Sequence, residues 1–212
     1  MVDLSHIKLH YFDFGNVPTD CGRGENIKLL LEDAQIPHDY LFYKWEDWPT
    51  MRDEWIKNGF TGGCLPVIET ADGKKYSCTT PIVRLISKQL GQYYGHGDIE
   101  KEYLVDTVAS FTNDWYDRFA RRSWLRPDLR EVHLKEDVPL HLNRLNRYYA
   151  FNDGPYLLGS EISFADFQVY HMITDEKLKL IDLPSHLITL VKAIQERPHL
   201  KDYLVKRESV VH

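Results

Sequence analysis

LPVIETADGKKYSCTTPIVRLISKQLG, residues 65–91, decides the fold. Leu65 to Glu69 enters a strand through proline, and Lys74 to Cys78 supplies a partner across the Asp72-Gly73 turn. Asp-Gly between extended runs favours a tight reversal. Pro66 has no N–H to give a central ladder, so it belongs at a strand's first residue or in a turn. The stretch from Thr79 then reads as a helix. Thr79 or Thr80 stands as N-cap, Pro81 falls in the first turn and Gly91 follows the end.

Upstream of this hairpin and helix, Ile7 to Phe12 reads as a strand because Ile7, Leu9 and Tyr11 alternate with Lys8 and His10. DFGNVPTDCGRG, residues 13–24, carries three glycines, a proline and two aspartates, which marks a long loop. From Glu25, Ile27, Leu30, Leu31 and Ala34 recur at helical spacing, with an end at Gln35 before Pro37. DYLFYKW gives a second strand, and PTMRDEWIKNG gives a short helix that stops near Gly59. The order βαβαββα is complete by residue 91.

Downstream, the turn-rich QYYGHGD leads into helical periodicity with no strand through residue 205. The expected units are therefore an α/β domain at 1–91 and an all-α domain at 98–212. Tyr103, Val105, Val108, Phe111, Thr112, Trp115 and Phe119 are expected to line one buried face. ISFADF, residues 162–167, is the clearest helix start: Ser163 as N-cap, Asp166 three positions on, and Ile162 placed to staple against Phe167.

The formal charge of −6 gives no general excess of Lys and Arg for binding phosphates, so a nucleic-acid partner is not expected. Arg118, Arg121, Arg122, Arg126 and Arg130 are a local exception, read as a solvated helix end paired to Asp114 and Asp117. Three cysteines without CxxC or zinc spacing argue against a secreted disulfide framework and for a reducing compartment. No basic-plus-apolar leader opens the chain, and no run reaches about 18 apolar residues. A cytoplasmic protein without a membrane partner is the expectation. The ten histidines show no HExxH-type spacing, so no metal is expected.

The strand, the GRG-led helix, the LPVIE hairpin, the TT-led helix, ISFADF and RPHLKDYL (197–204) come in an order that resembles the tyrosine-using glutathione transferases. YYGHGDIEKEYLVDTVASFTNDW (93–115) is similar to the start of a pi-type helical domain within the pi, mu, alpha and sigma group. The resemblance implies a thioredoxin-like first domain, a helical second domain and a homodimer. It also implies glutathione as co-substrate and conjugation of its thiolate to a small hydrophobic electrophile.

By position, the resemblance makes Tyr11 the hydroxyl that donates to the glutathione sulfur. It makes Pro66 a cis-proline that turns the backbone of Leu65 toward the cysteinyl part of glutathione. Thr79 takes the γ-glutamyl carboxylate at a helix N-terminus, next to Cys78, which stands where the family usually carries glutamine. Trp48 and Lys57 match contacts to the glycyl carboxylate, although their separation here is longer than usual. Asp114 matches an acid that reaches the glutamyl ammonium across a dimer interface. Phe12 and Trp124 match the lining of the hydrophobic co-substrate site. Read without the family, Tyr11 is a buried strand aromatic, Thr79 a plain cap, Asp114 a solvated helix residue, and Phe12 and Trp124 core.

The chain also departs from the family. Cys64 and Cys78 replace polar residues, and Glu25 puts a carboxylate where arginine is frequent, which would repel an anionic ligand. The loop after Tyr11 is six or seven residues longer than usual, and it brings Cys21 to the start of the first helix, where a thiol's pKa can fall. Three functions therefore stand open: conjugating transferase, glutathione-dependent isomerase, and a scaffold kept for interaction without efficient catalysis.

Overall fold

The computed structural model describes residues 1–14 and 22–210; Cys21 lies outside them. The first layer order is β1 (Ile7–Phe12), α1 (Gly24–Asp33), β2 (His38–Tyr43), α2 (Trp48–Lys57), β3 (Val67–Glu69), β4 (Lys75–Ser77) and α3 (Thr79–Leu90). The sheet runs β2-β1-β3-β4. β1 pairs parallel with β2, placing Tyr11 opposite Phe42, and antiparallel with β3, placing Leu9 opposite Ile68. β3 and β4 form the expected hairpin, with Val67 opposite Ser77. Hence the order read from the sequence is the order observed.

β1 is central in the sheet, so it is covered on both faces. Ile7, Leu9 and Tyr11 are buried, and His10 is buried on the opposite side, where Trp55 of α2 meets it edge-on at 5.1 Å. That explains why its alternation is imperfect. Burial pushes the His10 imidazole down to about 4, and its Nδ1 lies 2.7 Å from the Tyr43 hydroxyl.

The helical part comprises α4 (Ile99–Phe119), a one-turn α5 (Arg130–Val132), α6 (Val138–Tyr149), α7 (Phe164–Asp175), α8 (Ser185–Gln195) and α9 (Lys201–Val210). Asp98 caps α4, accepting from the N–H groups of Glu100 and Lys101. At α7 the Ser163–Asp166 capping box is present. Asp166, fully buried, also accepts from Tyr149 Oη at 2.8 Å and from the N–H of Leu157 at 2.9 Å. This one carboxylate therefore ties the end of α6 and the 151–162 connection to the first turn of α7. The two parts of the chain meet through α1 and α3 against α7. Arg197 also clamps Asp33, with 2.5 and 2.6 Å contacts.

Several expectations need correction. Neither Thr79 nor Thr80 caps α3: the cap position is Cys78, at φ 72 and ψ 125, with no side-chain cap bond. Tyr103 does not join the buried face of α4; it is 72% exposed, while Val105, Val108, Thr112, Trp115 and Phe119 are buried. The arginines are not a merely solvated helix end. After α4 the chain makes a π-helical turn, Ala120–Trp124, and a second at His133–Asp137. There Arg118 and Arg122 hold the buried Asp137 at 2.8 and 3.0 Å, and Arg130 holds the buried Glu176. His133 bridges the two carboxylates. The missing reason in the sequence is distance, because Asp137 and Glu176 are remote from the arginines along the chain.

Candidate glutathione site

Tyr11 ends β1 with its ring beneath the Gly22-Arg23-Gly24 turn, and the turn fits only because it is glycine. A Cβ at Gly24 would sit 2.2 Å from Tyr40 Oη and 2.8 Å from Tyr11 Cδ1; one at Gly22 would sit 2.5 Å from Phe14 Cε2. The close approach lets the Arg23 N–H donate to Tyr11 Oη at 2.8 Å. The Tyr116 hydroxyl, from α4, is a second hydrogen-bond partner of the Tyr11 phenol. Burial pushes the Tyr11 phenol up to about 12, against the pull of those hydrogen bonds and of the Arg23 charge. The group is thus a neutral donor at physiological pH, suited to stabilising an anion beside it.

Arg23 holds this arrangement to the helical part. Its guanidinium lies 4.2 Å from the Tyr116 ring centroid and donates to Asn113 Oδ1 at 2.8 Å and Asp117 Oδ1 at 2.6 Å. Asn113 in turn donates to Thr80 Oγ1 at 2.9 Å, and Gln168 donates to the same hydroxyl at 3.2 Å. So the start of α3 and the end of β1 are both referenced to α4.

The Leu65-Pro66 bond is cis. Leu65 is half-buried, and its N–H and C=O enter no backbone hydrogen bond among the described residues. Thr79 is 4% exposed, and its hydroxyl has no hydrogen-bond partner among the described residues. It shares this with other buried atoms of the described residues, Ser87 Oγ and His141 Nε2 among them. Cys78 is exposed and Cys64 half-buried, their sulfurs 3.9 Å apart.

Other predicted residues separate into two groups. Phe12 and Trp124 belong to one aromatic run. Phe12 stacks on Trp45 at 3.8 Å, Trp45 meets Phe14 at 5.8 Å, and Phe14 meets Trp124 at 5.5 Å. Trp48 is buried at the start of α2, 5.9 Å from Phe12. Lys57 is not brought to it: nine residues make two and a half helical turns, so Lys57 leaves the opposite side of α2 and is exposed. Arg52, one turn on from Trp48, shares its side. Asp114 is exposed on α4, on the same face as Ile99 and Tyr103.

Glu25 does not confront a ligand as a free charge. It is fully buried, accepts from Tyr203 Oη at 2.7 Å and pairs with Arg207 at 3.2 Å, both on α9. Sequence reasoning missed Phe14, Arg23, Trp45, Asn113 and Tyr116. The glycines flanking Arg23 were the signal that could have drawn attention to it; the others carry no local mark.

A family profile described as "Glutathione S-transferase, C-terminal domain" matches residues 113–207. The chain is 27% identical to "Glutathione S-transferase P 10" of Caenorhabditis elegans, over 95% of this chain and 92% of that protein. Along nearly its whole length the chain is similar to glutathione S-transferases. Among solved structures of this fold, the Pi-class glutathione S-transferase of Onchocerca volvulus superposes with a TM-score of 0.81 at 20% identity. That match covers 96% of this chain and 94% of that one. Prostaglandin synthase D of Nilaparvata lugens superposes at 0.75 with 25% identity, covering 95% and 98%. The family's two-part architecture, a small mixed sheet with helices followed by a helical domain, is the architecture observed.

Proposed function

We propose that this protein binds glutathione, sets its thiolate beside Tyr11 and transfers it to small hydrophobic electrophiles. The observation behind it is the buried Tyr11 phenol, held neutral at physiological pH, with the Arg23 N–H on its oxygen at 2.8 Å. A free thiol near pKa 8.5 is only a few per cent ionised at pH 7, and lowering it by about 2 units, or about 2.7 kcal/mol, makes the thiolate the main form. A single preorganised donor in a water-poor site is of that strength.

The rest of the site follows from open polar groups. The N–H and C=O of Leu65 pair with the cysteinyl peptide as an added strand would, and the open Thr79 hydroxyl with the start of α3 takes the γ-glutamyl carboxylate. Trp48 lies by the glycyl end, on the side of α2 that carries Arg52. The electrophile lies on the Phe12–Trp45–Phe14–Trp124 aromatics. Two chains pair across the α4 face that bears Ile99, Tyr103 and Asp114, 82% and 72% exposed at the two apolar residues. Light scattering of the purified protein should give a two-chain mass, and a one-chain mass would remove Asp114 from the site.

The test is glutathione conjugation to chlorodinitrobenzene, with Tyr11→Phe beside the native chain. Turnover that survives this substitution unchanged, or no glutathione binding at millimolar concentration, overturns the proposal. A second reading, a glutathione-dependent isomerase, uses the same thiolate. The likeness to a prostaglandin synthase favours testing prostaglandin synthesis in parallel.

A further inference from the structure

Cys64 and Cys78 are not scattered thiols. Val67 pairs with Ser77 in the hairpin. Cys78 directly follows β4, and Cys64 lies three residues before β3. Their sulfurs stand 3.9 Å apart. A disulfide needs about 2.05 Å, so the sulfurs have about 1.9 Å still to close. The two are also unequal. Cys78 is exposed, at the cap position of α3, whereas Cys64 is half-buried. Burial and the neighbouring Cys78 thiol both push the Cys64 thiol up.

The pair brackets the segment read above as the glutathione cradle. Cys64 directly precedes Leu65, and Cys78 directly precedes Thr79. We propose that Cys64 and Cys78 form a dithiol–disulfide site that reacts with glutathione disulfide, giving the protein a thiol-exchange activity apart from conjugation. The choice of disulfide rests on the glutathione reading; the thiol pair itself does not.

The exchange proceeds in two steps. The accessible Cys78 thiolate attacks one sulfur of the disulfide. A Cys78–glutathione bond forms, the glutathione S–S bond breaks, and the departing thiolate takes a proton as free glutathione. Cys64 then loses its proton and attacks the Cys78 sulfur. The Cys64–Cys78 bond forms and the second glutathione leaves as its thiol. In total two protein thiols are oxidised to one disulfide, and one glutathione disulfide is reduced to two glutathiones.

The experiment uses the full chain carrying Cys21→Ser, so that the third thiol does not compete. The protein is equilibrated with glutathione disulfide, quenched by alkylation and read by intact mass and peptide mapping. The expected result is loss of two hydrogens, a peptide linking 64 to 78, and no lasting adduct. Cys64→Ser should instead trap one glutathione on Cys78, and Cys78→Ser should react many-fold more slowly. Hydroxyethyl disulfide serves as a probe without glutathione's charges. Failure of both disulfides to produce the link overturns the site. A link formed by hydroxyethyl disulfide and refused by glutathione disulfide overturns the assigned substrate, and undiminished conjugation in the same preparation shows that the main reading has not failed with it.

Discussion

Asp166 in the helical part and the Tyr11–Leu65–Thr79 region in the sheet part treat buried polar atoms in opposite ways. Asp166 is fully buried and satisfied four times over, by Tyr149, the N–H of Leu157, and both the N–H and the hydroxyl of Ser163. At the other end, among the described residues, the Thr79 hydroxyl has no hydrogen-bond partner and the Leu65 peptide enters no backbone hydrogen bond. A buried polar group costs free energy while it stays unpaired, so the closed network at Asp166 contributes stability and the open hydroxyl at Thr79 contributes none until something fills it.

The comparison can be broken first at its stable end. Asp166→Ala strands four donors and should cost about 3–5 kcal/mol, lowering the thermal midpoint by about 10 °C or more, read by calorimetry. Wild-type stability would mean that the closed network is ornamental. At the open end, Tyr11→Phe should lower turnover about a hundredfold, about 2.7 kcal/mol, while the glutathione Kd and the thermal midpoint change little. Tyr116→Phe removes a hydrogen-bond partner that holds the Tyr11 phenol in place. A loss of about tenfold in turnover is expected, with KM for glutathione retained.

A gentler test uses pH. Burial holds the imidazoles of His10 and His141 down to about 4, and that of His171 well below its usual value, against about 6.5 in the unfolded chain. The folded state then binds fewer protons than the unfolded state between those values. Stability should be full above pH 6.5 and fall steadily toward pH 4, and His141→Gln should shallow that slope in a series of melting curves.

Local chemistry made much of the fold legible. Asp72-Gly73 announced the hairpin, Gly91 ended α3 in a left-handed conformation at φ 66, and Ser163-x-x-Asp166 opened α7. Each acts on residues a few positions away, which a linear reading can follow. The candidate site was legible only by position in a family pattern. Tyr11, Leu65-Pro66 and Thr79 were marked in that way, while Arg23 and Tyr116 were not, because nothing near them in the chain reveals their meeting at the Tyr11 phenol. Lys57 shows the reverse error: it matched by type, and the helix turned it away from Trp48.

What the sequence by itself determined is the order of elements, the hairpin turn and the start of α7, because hydrogen bonding and backbone preference operate over a few residues. The tertiary structure alone decided which hydroxyls stay open, that Glu25 is neutralised by Arg207, and that Cys64 meets Cys78. Those outcomes depend on groups separated by up to most of the chain, and only packing fixes which of them share a low-dielectric space.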